Sequence, residues 1–152
     1  SFNFITPGYN LRPLEMEAAI GIHQLDKLNT FIENRQNNAR YFKSKIDNPN
    51  ILLQTEVGSS SWFGFSIVLT NNLRGAREKI VQSLQQAGID VRPIVAGNFT
   101  RNSVIKYFDY SICGTLENAD IIHENGMFVG NHSIIIDEKI DQLVKLLNNF
   151  YK

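Results

Sequence analysis

Apolar and polar positions divide the chain into two regimes. Up to about residue 46 the apolar residues recur at helical spacing; from Ile51 onward, short alternating runs and short helical runs succeed one another. In the first regime Met16, Ile20, Ile22 and Leu25 are interleaved with the small residues Ala18, Ala19 and Gly21. Both sides of this helix therefore carry apolar or small side chains, a surface suited to close approach by another backbone and to burial between two bodies. Leu28-Asn29-Thr30 reads as an interruption, and Thr30 with Glu33 as a capping box that starts a second helix running to about Ile46. Phe31, Ile32, Arg35, Ala39, Phe42 and Ile46 follow one face of it, and Asp47-Asn48-Pro49-Asn50 ends it.

The second regime predicts a short strand over 51–56 and a better one from Phe63, where Phe65, Ile67 and Leu69 alternate with Gly64, Ser66 and Thr70. Such alternation describes a sheet covered chiefly on one side. A helix is expected over 73–87, with Ala76, Ile80, Leu84 and Ala87 inward and Gly88 as its stop, followed by a strand over 89–94. Strand, helix and strand make a split β-α-β arrangement with the helix across the sheet. Beyond it lie an aperiodic polar loop from Pro93 to Asn102, a short helix over 103–108, and Tyr107, Phe108 and Tyr110 as residues that pin the loop. A helix from Thr115 to Asn125 stopped by Gly126, a strand over 127–129, a turn at Gly130-Asn131-His132, and a last helix capped by Asp137 complete the chain. That last helix shows Ile140, Leu143, Val144, Leu147 and Phe150 as one stripe. The fold class is α/β, of the α+β kind.

Composition narrows the function. The 152 residues suffice for one domain with a core. Lys+Arg and Asp+Glu both number 15, so no basic surface for nucleic acid is expected. Cys113 is alone and no Cys/His spacing resembles a metal site, which predicts a reducing cytoplasm and no metal. No apolar run approaches the roughly 18 residues of a membrane span. The chain opens at Ser1 inside a motif, and we expect it to be the C-terminal piece of a longer polypeptide.

Candidate chemistry sits in two places. The turn Pro7-Gly8-Tyr9-Asn10, followed by Pro13, presents Asn10 just ahead of a helix N-terminus, where free N–H groups and the helix dipole suit a phosphate. Simple capping by Asn10, Glu15 and Glu17 is the competing reading. Arg92 is the best-placed cation on the strand leading into the polar loop, and with Asn98 and Arg101 it is a candidate for diphosphate or sugar hydroxyls; an Asp90–Arg92 ion pair competes. His23, His123 and His132 fit helix packing, a helix-end contact and a turn better than catalysis.

The segment GYNLRPLEMEAAIGIHQLDKL, residues 8–28, resembles the opening of the C-terminal part of the DegT/DnrJ/EryC1/StrS family, pyridoxal-phosphate (PLP) sugar aminotransferases and their dehydratase relatives. The resemblance implies the small C-terminal domain of a fold-type-I PLP-dependent transferase, a mainly antiparallel sheet with helices packed on it and a long N-terminal helix pair. Residues 1–46 would be the turn and interface helices, residues 51–152 the small domain, and the PLP-binding domain would lie upstream. It assigns Asn10 to the cofactor phosphate of a homodimer partner and places Phe2 near that neighbouring active site. RPIVAGNFTRN (92–102) departs from the Tyr-x-Pro-Leu-His loop of the aminotransferase branch. With PLEM (13–16), SSWFGF (60–65), KYFDY (106–110) and FVGNH (128–132), it resembles the branch that removes the C3 hydroxyl of GDP-4-keto-6-deoxymannose in O-antigen deoxysugar biosynthesis. That branch implies PLP or pyridoxamine phosphate (PMP) as cofactor, glutamate as amino donor, and a His or Lys base upstream, so no catalytic residue is expected in this chain. A CDP-sugar branch with a cysteine-held iron–sulfur cluster suits a one-cysteine chain less well. A sugar aminotransferase such as a perosamine synthase, and a non-catalytic fragment supplying only dimer and substrate contacts, are the alternatives.

Overall fold

The strand that comes last in sequence lies inside the sheet. In the computed structural model, which describes residues 3–9 and 14–150, the strands are β1 (Ile51–Leu53), β2 (Gly64–Leu69), β3 (Val91–Arg92) and β4 (Gly126–Gly130). They form one sheet in the order β1-β2-β4-β3, every neighbouring pair antiparallel. The helix α3 (Arg77–Gln86) joins β2 to β3, and β4 fills the slot between them, as the split β-α-β reading expected.

One face of this sheet is covered. Phe65, Ile67 and Leu69 of β2 lie beside Val129 and Met127 of β4, all buried. Three helices complete that core: α2 (Leu28–Lys45) with Ala39 and Phe42, α3 with Ile80 and Leu84, and α5 (Asp137–Asn149) with Ile140, Leu143, Val144 and Leu147. Phe42 stacks on Phe65 with ring centroids 4.4 Å apart, fixing α2 to the middle of the sheet. The opposite face carries Leu52, Gly64, Ser66, Phe128 and Arg92, the positions one residue out of phase.

A buried amide ties α2 to the turn after β4. Asn38, fully buried, donates from Nδ2 to Asn131 Oδ1 at 3.0 Å and to the Ile134 carbonyl at 2.7 Å, and its Oδ1 accepts from Ile136 N–H at 3.3 Å. Asn131 in turn donates to the carbonyls of Arg35 and Trp62, both at 2.9 Å.

Several local expectations need correction. The break in the first helix falls at Asp26-Lys27, between α1 (Glu15–Leu25) and α2, so Thr30 and Glu33 lie inside a helix and cap nothing. Asp26 and Lys27 keep right-handed helical angles, and the two helices run on with a single tightened turn. Glu17 does accept from the Leu14 N–H at 3.0 Å, as a first-turn acid should. Leu73 closes a separate 3₁₀ turn, and Gly75 at φ +78° breaks the chain before α3 begins. Gly88, also at φ +78°, ends α3 as expected.

Gly126 plays a different part from the helix stop foreseen. Its backbone is extended, and a Cβ there would meet the Ile122 carbonyl at 2.4 Å, so glycine is needed because α4 (Glu117–Asn125) turns directly into β4. Thr115 precedes that helix by two residues, and Asp137 is the first residue of α5 rather than its cap. The segment over 103–108 is a 3₁₀ helix, Ser103–Tyr107, and Tyr107, Phe108 and Tyr110 stand half-exposed. Replacing Asn38 by Ala strands the acceptors and the N–H it satisfies, which costs roughly 2–4 kcal/mol; a urea titration is expected to show a lower midpoint at unchanged m-value.

Candidate functional site

The functional side chains foreseen from sequence separate into three groups. Asn10 and Phe2 lie outside the described residues. The turn that leads to Asn10 is anchored at its base: Phe4 N–H donates to Asn102 Oδ1 at 3.3 Å, and the Phe4 carbonyl accepts from Val104 N–H at 3.0 Å. Beyond that anchor the chain leaves the body, and Tyr9 is 95% exposed.

Asn98 and Arg101 organise the polar loop itself. Asn98 is 4% exposed; its Oδ1 accepts from Thr100 N–H at 3.1 Å and from the Thr100 hydroxyl, and its Nδ2 donates to Asp120 of α4 at 2.8 Å. Arg101 pairs with the same Asp120 at 2.9 Å and with Glu124 at 3.0 Å. His123 holds the loop from the other side, its Nδ1 accepting from Asn98 N–H at 3.3 Å. Gly97, at φ +65°, passes so close that a Cβ would meet His123 Nδ1 at 2.6 Å. The loop is thus clamped to one side of α4, a role for His123 that sequence position alone did not disclose.

Arg92 stands apart. It lies on the open face of the sheet, its side chain 65% exposed, with Asp90 at 3.4 Å. Its cross-strand neighbour is Phe128, whose ring stacks on Phe63 at 5.8 Å. Phe63 is 69% exposed, against the inward position that alternation assigned it. The cause is Trp62, held at φ +50° by the Asn131 bond to its carbonyl: the backbone twists before β2, Trp62 turns in to 5% exposure and Phe63 turns out. A groove of about 470 Å³ opens beside these residues, with Asp90, Arg92 and Phe128 on one side and Lys139 and Gln142 of α5 on the other. Among the described residues no group of three His, Cys, Asp or Glu side chains is placed to hold a metal, and no helix is long and apolar enough to cross a membrane.

Comparison with known proteins decides the family. The model of the DegT/DnrJ/EryC1/StrS aminotransferase family matches residues 2–148. The chain belongs to this family. It is 50% identical over 149 residues to a GDP-4-keto-6-deoxy-D-mannose 3-dehydratase of Escherichia coli O55:H7, an alignment that takes in 97% of this chain and 38% of that protein. The structure of the E. coli dehydratase with bound hydrated PLP superposes with a TM-score of 0.85 at 49% identity, over 96% of this chain and 38% of the other. A GDP-4-keto-6-deoxymannose-3-dehydratase mutant with bound GDP-perosamine superposes equally well, TM-score 0.85 at 50% identity, over 97% of this chain and 39% of the other. The chain therefore spans about 38% of the length of such relatives, and its sheet with helices packed on it has the fold of these PLP enzymes.

Within the family member described here, motifs far apart in sequence meet in space. SSWFGF supplies Trp62 and Phe63, FVGNH supplies Phe128 and Asn131, and RPIVAGNFTRN supplies Arg92. The loop before SSWFGF is fastened by Glu56, whose carboxylate accepts from Ser60 N–H at 2.7 Å. That bond, and next a hydrogen bond from the Trp62 side chain, hold the Glu56 carboxyl below its ordinary value. A carboxyl lowered in the folded protein stabilises it above the unfolded value and ceases to as pH falls through the folded one. Trp62 fluorescence is expected to change as pH drops below about 4.5, and Glu56→Gln to flatten that change.

Proposed function

We propose that this chain is part of a PLP- or PMP-dependent nucleotide-sugar 3-dehydratase, a cytoplasmic lyase that removes the C3 hydroxyl of GDP-4-keto-6-deoxymannose in O-antigen deoxysugar biosynthesis, with glutamate as amino donor. The observation that carries this reading is 50% identity to such a dehydratase across 97% of the chain.

In this reading the chain positions and encloses, while an upstream domain supplies the catalytic base. Asn10 donates its side-chain amide to the cofactor phosphate of a partner subunit. The described residues before it support that role: the stem is anchored at Phe4, and Tyr9 is 95% exposed. Amide N–H donors also suit phosphate oxygens. When bound, the cofactor provides the electron sink that lets the C3 hydroxyl leave. Phe2 lies near the same pocket, and Arg92 binds the substrate's phosphates. Asn98 and Arg101 serve the substrate through the loop they hold in shape.

The helix α1 is the interface element. It buries none of its residues, and Met16, Ile20, Ile22 and Leu25 are 62–74% exposed, an apolar surface that a homodimer partner and the upstream domain would cover. A sugar aminotransferase is the second reading, and its products differ. Full-length protein given glutamate and GDP-4-keto-6-deoxymannose is expected to yield a 3-deoxy sugar, with mass spectrometry showing loss of the C3 hydroxyl; a 4-amino sugar that keeps it would favour the aminotransferase. Asn10→Ala in the full-length protein is expected to weaken PLP binding about tenfold or more by equilibrium titration, as loss of a hydrogen bond to a charged group does.

A further inference from the structure

The open face of the sheet carries an aromatic surface that the fold takes trouble to build. Phe128 lies flat across β2 because Gly64 has no side chain: a Cβ there would sit 2.1 Å from Phe128 Cζ. The left-handed turn at Trp62 sends Phe63 outward to stack on that ring. Arg35 of α2 places its guanidinium carbon 5.9 Å from the Phe63 centroid. Its Nε is buried without a hydrogen-bond partner, and among the described residues no ion pair includes it. On the other side of the pair stand Arg92 and, across the groove, Lys139, opposed by the single groove-lining carboxylate Asp90. Both members of the Arg92–Asp90 contact are largely exposed, so an arriving phosphate can displace the carboxylate at little cost.

An exposed Phe63 ring stacked on the half-buried Phe128, with the Arg35 guanidinium near its face and cations across a groove, matches a planar base joined to a diphosphate. We propose that this surface binds the nucleoside diphosphate portion of the nucleotide-sugar: the base on the Phe63–Phe128 pair, its acceptor edge receiving the Arg35 guanidinium, and the diphosphate at Arg92. Guanine presents two acceptors, O6 and N7, side by side to the arginine fork, so Arg35 is the residue that selects the nucleotide. The assignment rests on the nucleotide-sugar reading above and adds to it which residues hold which part.

The test is calorimetric titration of the full-length, cofactor-loaded protein with GDP, UDP and inorganic pyrophosphate. Phe63→Ala is expected to weaken GDP and UDP about tenfold, the scale of base–aromatic stacking, and to leave pyrophosphate unchanged; Phe63→Tyr restores binding. Arg35→Gln is expected to erase the preference for GDP over UDP without affecting pyrophosphate, and Arg92→Gln to weaken all three ligands. Phe63→Tyr keeps the ring, so its restored binding separates a lost stack from a lost fold. Unchanged GDP affinity in Phe63→Ala, a selectivity loss absent from Arg35→Gln, or a wild-type protein that binds no nucleoside diphosphate overturns the proposal. Failure of the dehydratase assay with GDP affinity and the variant pattern intact would overturn the reaction assignment and leave this site standing.

Discussion

One-sided coverage of a four-stranded sheet is the constraint from which the other features of this chain follow. Three helices are packed on one face, and every inward position of β2 and β4 is filled by a large apolar side chain. A shift of register by one residue would exchange those side chains for Gly64, Ser66 and Phe128, so the burial of one face also fixes what the other displays. Because β4 enters the sheet between strands joined by α3, its residues meet partners from distant parts of the sequence. Arg92, Phe128 and Phe63 become neighbours through strand order.

The N-terminal part obeys a different rule. Nothing in the described chain packs on α1 well enough to bury any of its residues, and its apolar side chains face outward over the whole length. In an isolated domain such a helix would be costly in water. Its composition suits a helix that a further surface covers. The stem at Phe4 is likewise anchored, and residues 5–9 beyond it are exposed.

Much of the fold was legible in sequence because binary patterning and punctuation agree: the stripe of α5, the inward set of β2 and the Gly88 stop all appear where periodicity placed them. Errors arose where a residue type serves several purposes. Thr30 and Glu33 have the chemistry of a cap, yet a helix already continuous through Lys27 leaves them nothing to cap. Gly126 is needed for close approach, which a one-dimensional pattern cannot distinguish from a stop. Phe63 broke the alternation because its orientation is decided by the buried Asn131, nearly seventy residues away. Candidate site residues were harder still. Asn98 and Arg101 stand out in a polar loop, but their hydrogen-bond and ion-pair partners lie on α4, and the unpaired Nε of Arg35 belongs to a residue that periodicity counts only as one more position on a helix face.

The central claim is that the Phe63–Phe128 surface and the groove beside it hold the nucleotide-sugar. Hydrogen–deuterium exchange of the full-length protein, with and without PLP and a GDP-sugar, tests it most directly. Ligand is expected to slow exchange in residues 62–66, 91–92, 126–131 and the groove-lining part of α5 while leaving α3 unchanged; protection confined to α3, or none in this chain at saturating ligand, would contradict the account.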